Sequence, residues 1–231
     1  MKYNIISTGS HGNAVVINDY ILIDCGVPFN ALENVYKQLQ IVFLTHAHND
    51  HIRKSTIRKL ALERPTLRFA CCEWLVSILL ECDVSERNID VLEIGKIYDY
   101  KAFKVSPIKL YHDIPNCGYR LFFGDKKVLY ATDTEHLDGI MAKDYDLYMI
   151  EANYMEEDLQ KRIEAKIATG EYSYEQNCAL RHLSHEQASE FLLENMGNHS
   201  EYVFLHGHKE KTEKPKDWEY QDDNDSENNG L

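Results

Sequence analysis

The sequence predicts an α/β fold in which sheets are flanked by helices, and three observations carry that expectation. Short apolar runs bounded by polar turns open the chain at Tyr3 to Ile6, Ala14 to Ile17 and Tyr20 to Ile23, the pattern of a strand meander. From Ala31 onward helix-like and strand-like stretches alternate, as they do where helices cover a sheet. A compact apolar run, Ile41-Val42-Phe43-Leu44, reads as a buried strand and stops directly at Thr45-His46-Ala47-His48-Asn49-Asp50-His51. The His-rich stretch therefore falls on a strand-to-helix loop.

The elements follow in order. Asn18-Asp19 supplies the turn between the second and third strands. Ala31 to Leu39 reads as a helix, as do His51 to Leu62 and Glu73 to Glu81, with Leu67 to Ala70 a strand between the last two. Strands are expected at Ile89 to Glu93, Lys96 to Tyr100, Phe103 to Leu110, Tyr119 to Phe123 and Lys127 to Ala131, and Gly124-Asp125 is a hairpin turn. A helix from His136 to Ala142 and a strand from Tyr145 to Ile150 follow. Met155 to Gln176 begins charged and helix-prone and then carries Gly and Tyr, so residues 155–177 read as an insertion or lid-like excursion. Ser184 to Met196 is a helix with Ser184 as N-cap, Gln187 in the capping-box position and Gly197 at its end, and Tyr202 to Leu205 is the final strand. Lys209 to Leu231 is acidic and too poor in apolar residues to fold alone, which divides the chain into a domain over 1–208 and a flexible tail over 209–231.

Composition narrows the function classes. With 231 residues the chain can bury a sizeable core as one domain, and no apolar run approaches the roughly 18 residues of a membrane span. The start, Met1 to Gly9, has too short an apolar stretch for a signal peptide, so a cytoplasmic location is expected. None of the six cysteines forms a C-x-x-C pair, and buried free thiols are expected rather than disulfides. A formal charge of −13 argues against broad, non-specific nucleic-acid binding, which needs many phosphates neutralised by Lys and Arg. A local patch at Arg53, Lys54, Arg58 and Lys59 reads either as a phosphate-binding surface or as a solvated helix face.

The chemistry concentrates in the His-rich loop. His46 and His48 alternate at the end of an extended segment and point the same way, while Asp50 and His51 follow where the chain turns, giving two sets of donors back to back. Imidazole nitrogens and carboxylate oxygens suit Zn, Mn or Fe, and two adjacent ions can activate a water and clamp a phosphoryl or carbonyl oxygen. The competing reading is a set of exposed polar side chains on a loop. Downstream, His112, Asp133 and His206 each fall at a strand end; Asp133 is either a ligand or the N-cap of the helix expected after it.

Thr45 to His51 resembles the H-x-H-x-D-H signature of the metallo-β-lactamase superfamily. Ile21-Leu22-Ile23-Asp24-Cys25-Gly26 is similar to the family's first motif, in which an Asp at a strand end orients the metal loop from behind the ligands. The resemblance implies an αββα sandwich of two mixed sheets and two divalent metal ions, Zn first and Mn as the alternative. One ion would sit on His46, His48 and His112, the other on Asp50, His51 and His206, with Asp133 between them. His208 stands beside His206 as a second candidate for the last ligand.

Further segments point to one branch. Ser7-Thr8-Gly9-Ser10-His11-Gly12-Asn13 resembles the opening of the YycJ/WalJ-like exonucleases, and Tyr111 to Tyr119 is similar to a His-Asp…Gly-Tyr segment of one branch of the superfamily. Met149-Ile150-Glu151-Ala152-Asn153-Tyr154 and Arg181-His182-Leu183-Ser184 resemble segments shared by those exonucleases and tRNase Z-like phosphodiesterases. The resemblance implies a Glu151–His182 pair that positions the phosphate and protonates the leaving oxygen, with Asp50 as the third catalytic candidate and Asn13 and Asn153 at the substrate. The implied substrate is nucleic acid or a cyclic nucleotide, no membrane partner is expected, and a homodimer is among the assemblies compact relatives adopt. The alternative is hydrolysis of a lactone, thioester or β-lactam on the same ligands.

Overall fold

The computed structural model describes residues 1–170 and 180–207. Residues 171–177 of the excursion expected over 155–177, together with Cys178, His208 and the tail expected over 209–231, lie outside the described residues. The first sheet runs in the order β1 (Tyr3–Ser7), β2 (Ala14–Ile17), β3 (Ile21–Ile23), β4 (Ile41–Phe43), β5 (Arg68–Cys72) and β6 (Ile89–Leu92). Its first two pairings are antiparallel and its last three parallel. The second runs from β7 (Tyr98–Asp99) through β8 (Lys104–Leu110), β9 (Asn116–Phe123), β10 (Lys126–Ala131) and β11 (Leu147–Glu151) to β12 (Glu201–Leu205). Here β10, β11 and β12 are mutually parallel, and the remaining pairings are antiparallel. Both sheets are mixed, as expected of the αββα sandwich.

Period-two alternation explains the layers. Ile21, Ile23, Ile41 and Phe43 of the first sheet meet Tyr119, Val128, Tyr130, Leu147 and Met149 of the second in one core between the sheets. The intervening residues Leu22 and Val42 face outward and pack with Ile57 and Leu60 of α1 (Lys54–Glu63) and Leu79 of α2 (Val76–Glu81). On the far side, Leu129, Ala131, Tyr148 and Ile150 pack with Ala188, Phe191 and Leu192 of α4 (His185–Asn195). Strands covered on both faces read as continuous apolar runs, which is why β2, β3, β4 and β11 are uniformly buried.

Local signals decide the ends of elements. Ser184 Oγ accepts from Gln187 N at 3.0 Å and the Gln187 side chain returns to Ser184 N at 2.9 Å, completing the capping box read from the sequence. Asn18 and Asp19 both take positive φ in the expected turn. Two expected helices do not form. Over Ala31 to Leu39 the chain makes a 3-10 turn (Phe29–Leu32) and further i→i+3 bonds such as Val35 N to Leu32 O and Gln38 N to Val35 O; Asn30 and Asn34 are poor helix formers. Over His136 to Ala142, Asp138-Gly139 interrupts the helix, with Gly139 at φ 75°. The excursion begins with α3 (Glu156–Thr169), whose Glu156 accepts a hydrogen bond from Ser184 Oγ at 2.9 Å.

Five cysteines, Cys25, Cys71, Cys72, Cys82 and Cys117, are buried free thiols. The basic patch is largely neutralised: Lys54 pairs with Glu81 at 2.7 Å, Arg58 approaches Asp83 at 3.7 Å, and Lys59 lies over the Phe29 ring at 4.4 Å. Among the described residues no helix is long and apolar enough to cross a membrane.

Phe43 touches the rings of Tyr100, Phe103 and Tyr119 at the centre of the inter-sheet core. Phe43→Ala is expected to destabilise the protein by about 3–5 kcal/mol in urea unfolding. Leu62→Ala, at a side chain 78% exposed, should change stability by less than about 0.5 kcal/mol.

Candidate functional site

The parallel strands deliver the site residues to one end of the sandwich. Asp24 follows β3, Thr45 to His51 follow β4, Asp133 follows β10, Glu151 ends β11 and His206 follows β12. Asp24, Asp133 and His206 take φ values of 58°, 55° and 54°, a left-handed conformation that non-glycine residues adopt rarely. At each, the chain turns sharply as it leaves the strand. His112 is carried by the loop after β8, where Tyr111 N donates to Thr134 Oγ1 at 3.0 Å.

Two donor sets converge. His46, His48, His112 and Asp133 bring ligand atoms within 4.8 Å of one another, and so do Asp50, His51, Asp133 and His206. In the first set His46 Nε2 lies 3.2 Å from His48 Nδ1, and His48 Nδ1 lies 3.3 Å from His112 Nε2. Asp133 Oδ2 stands 3.5 Å from His46 Nε2 and 3.3 Å from His51 Nε2, so one carboxylate faces both sets. Asp133 is not a helix N-cap, since no helix follows it.

The geometry fits metal ions. Zn–N bonds of about 2.0–2.1 Å in a tetrahedron place neighbouring ligands about 3.3–3.4 Å apart, the spacing these ring nitrogens show. A hydrogen bond between two imidazoles needs one protonated and one bare nitrogen, and a lone His48 Nδ1 shared between two neighbours is poorly served by that alone. Among the described residues His206 Nε2 is buried with no hydrogen-bond partner, 3.5 Å from Asp50 Oδ2 and 3.6 Å from Asp133 Oδ1. A buried polar atom left in this way is costly unless an ion or water completes it.

Supporting residues fix the donors. Asp24 accepts from Thr45 N at 3.0 Å, Thr45 Oγ1 at 2.9 Å and His51 Nδ1 at 2.8 Å, which leaves His51 Nε2 turned toward Asp133. Asn13, 2% exposed, spends its amide on Gly9 N at 2.9 Å, Asp50 O at 3.2 Å and His51 Nε2 at 2.8 Å. Asn153, 6% exposed, holds His206 through Nδ1 at 2.8 Å and its carbonyl at 3.1 Å. Both asparagines, expected at the substrate, bond to the rings of His51 and His206. His206 N also donates to Thr8 Oγ1 at 2.7 Å.

Charges follow this packing. Burial and then the neighbouring His51 charge push His46 down to about 4. Burial also disfavours a charged His51, but Asp133 and Asp24 overrule it and hold the ring well above its ordinary value. Asp133 is held well below the usual carboxylate range: burial opposes this, and His51 and His206 prevail.

A third group, Glu151 and His182, adjoins the cluster. Glu151 is buried, with Oε2 accepting from Thr134 N at 3.0 Å and Leu183 N at 3.4 Å, and Oε1 bonded to His182 Nδ1 at 2.5 Å. The His182 ring stacks on His206 with centroids 5.2 Å apart. Burial works against a charged His182, but Glu151 raises it.

Three contributors were not legible as site residues. Gly26 is one: a Cβ there would lie 1.7 Å from Asp50 O and 2.9 Å from His51 N, so only glycine lets the first-motif turn pass under the His loop. The signal was its place directly after Asp24-Cys25. The other two, Asp113 and Arg181, pair at 2.8 Å beside His48 and His112, and nothing in their spacing announces it.

Comparison with known proteins agrees with this architecture. A family model described as beta-lactamase superfamily domain matches residues 19–206. The exodeoxyribonuclease WalJ of Streptococcus pneumoniae is 26% identical over 236 residues, covering 91% of this chain and 82% of its own. Among solved structures, the metallo-beta-lactamase fold protein YhfI from Bacillus subtilis aligns with a TM-score of 0.66 at 18% identity, over 90% of this chain and 87% of that one. Human tRNase Z, short form, aligns with the same score and identity, over 90% of this chain and 93% of that one.

Gly26→Ala is expected to lower metal affinity by at least about 10-fold, the scale seen when supports of ligands are disturbed. Gly124→Ala, at a hairpin turn where the added Cβ meets nothing within 4 Å, serves as the control for a glycine lost outside the site. Metal content after chelator competition checks both, and wild-type retention in Gly26→Ala would show that the close approach does not matter.

Proposed function

The chain belongs to the beta-lactamase superfamily, and from that membership and the geometry of its site we propose that it is a metal-dependent phosphodiesterase acting on nucleic acid or a cyclic nucleotide. The observation that carries this reading is the Glu151–His182 pair, bonded at 2.5 Å and stacked against the ligand cluster. Cleaving a phosphodiester needs an activated water on one side of phosphorus and a proton donor on the other, and the cluster and the pair supply these two functions side by side. The similarity to the exodeoxyribonuclease WalJ supports the same bond class.

His46, His48 and His112 would hold one divalent ion and Asp50, His51 and His206 a second, with Asp133 facing both; Zn suits the donor set, with Mn as the alternative. When bound, such ions supply Lewis-acid polarisation of a phosphoryl oxygen and acidify water. The protein's own groups do the rest. Asp24 fixes His51 through Nδ1, and Asn153 and Thr8 fix His206 by its ring Nδ1 and backbone N, so the cluster is organised before substrate arrives. Asp50, the partly exposed carboxylate of the cluster, orients the attacking water. Glu151 cannot swing, because two backbone amides hold Oε2, and its Oε1 fixes His182 by Nδ1. His182 Nε2 is then the ring atom left to give a proton to the leaving oxygen.

The decisive assay offers metal-reconstituted protein bis-p-nitrophenyl phosphate, cyclic nucleotides, single- and double-stranded DNA, RNA and a β-lactam. We expect phosphodiester turnover, abolished by His48→Ala and lowered about 10²- to 10⁴-fold by Glu151→Ala or His182→Ala. Turnover indifferent to His48→Ala would sink the metal mechanism. Phosphodiester cleavage intact in both pair variants, or activity confined to the β-lactam, would sink the phosphate reading.

A further inference from the structure

Arg181 and Asp113 form an ion pair beside the ligand cluster that the reaction described above does not use. Asp113 Oδ2 lies 2.8 Å from Arg181 Nη1, while its other oxygen, Oδ1, lies 3.1 Å from His112 Nε2 and 3.4 Å from His48 Nε2. The guanidinium is thus one carboxylate away from the ring nitrogens of the first donor set. The Arg181 backbone is anchored independently of its side chain, since its carbonyl stands 3.1 Å from His112 Nδ1. The next residue is His182.

We propose that Arg181 is the anion clamp of this site: its guanidinium binds a phosphate oxygen of the substrate, and Asp113 is the internal carboxylate that occupies it until substrate arrives. This rests on the phosphodiesterase reading and deepens it. Two features support the exchange. The Arg181 and Asp113 side chains are 46% and 26% exposed, so their pairing is screened and weak enough to be given up. The planar fork of a guanidinium matches phosphate as well as carboxylate and can bond two oxygens at once. A carboxylate at this position mimics the anion it gives way to.

Steady-state kinetics of the metal-reconstituted full chain test the proposal on two substrates. Bis-p-nitrophenyl phosphate offers only the scissile phosphate, whereas a DNA oligonucleotide adds neighbouring ones. Arg181→Ala is expected to raise KM about tenfold or more, with kcat within about twofold and metal content unchanged. Arg181→Lys should recover part of the loss, and Asp113→Asn should lower KM several-fold by freeing the guanidinium. A KM effect on both substrates identifies the scissile phosphate as the partner; an effect on the oligonucleotide alone identifies a flanking one. Unchanged KM on both, or loss of bound metal in Arg181→Ala, overturns the clamp while leaving the phosphodiesterase reading standing. Wild-type protein that loads metal but cleaves neither substrate overturns that reading, and the clamp with it.

Discussion

Asp24 carries a carboxylate buried between the sheets, and that charge is tolerable only because two separate segments hydrogen-bond to it. Thr45 contributes N and Oγ1 and His51 its Nδ1 from the loop after β4, while Tyr130 reaches it from β10 of the other sheet at 3.3 Å. Removing any one leaves a buried charge under-satisfied, which costs far more than a surface hydrogen bond does. The His loop, the β3 terminus and the second sheet are therefore fixed by a single group. Gly26 adds the steric half of the same constraint by letting the backbone pass against Asp50.

The rest of the site is organised by strand ends. Parallel strands from both sheets finish at the same end of the sandwich, and three of the residues there adopt left-handed φ. Each such conformation costs on the order of 1–3 kcal/mol. The cost is met by the strands themselves, whose residues are buried on both faces and cannot slide by one position without sending every side chain to the wrong core. A rigid, doubly covered scaffold holding a few strained positions converts β-sheet register into ångström-scale placement of imidazoles. Asn153 completes this at His206 by bonding the ring Nδ1, and Thr8 Oγ1 holds the backbone N–H of the same residue.

Much of this was legible in the chain because the same physics writes it. Four donor side chains within six residues, placed directly after Ile41 to Leu44, have few uses other than a metal loop, and the resulting cluster includes all four. The strand pattern was equally plain, since two-faced burial leaves unbroken apolar runs. What sequence reasoning lost were properties that exist only in three dimensions. Asn13 and Asn153 carry amide groups whose bonds to His51 and His206 only the folded chain reveals. Gly26 has no functional group to notice. The helices expected at Ala31 to Leu39 and His136 to Ala142 failed on local chemistry, Asn30 and Asn34 in the first and Asp138-Gly139 in the second, that an apolar-periodicity argument underweights.

Electrostatics then explains how so acidic a chain could serve an anionic substrate. At −13 the protein as a whole repels polyanions, and the Arg53 to Lys59 surface does not reverse this, since Glu81 and Asp83 already engage Lys54 and Arg58. Within the site, the carboxylates of Asp24, Asp50, Asp133 and Glu151 would make matters worse if they stood alone. Divalent ions, if held by the donor sets, would invert the local sign, as bound cations are often the largest charges in a site. Attraction for phosphate would then be confined to the few ångströms around the cluster and Arg181, not spread along a basic tract. On the phosphodiesterase reading, such an arrangement would give little hold on nucleic acid at a distance and reserve affinity for the phosphate that reaches the cluster.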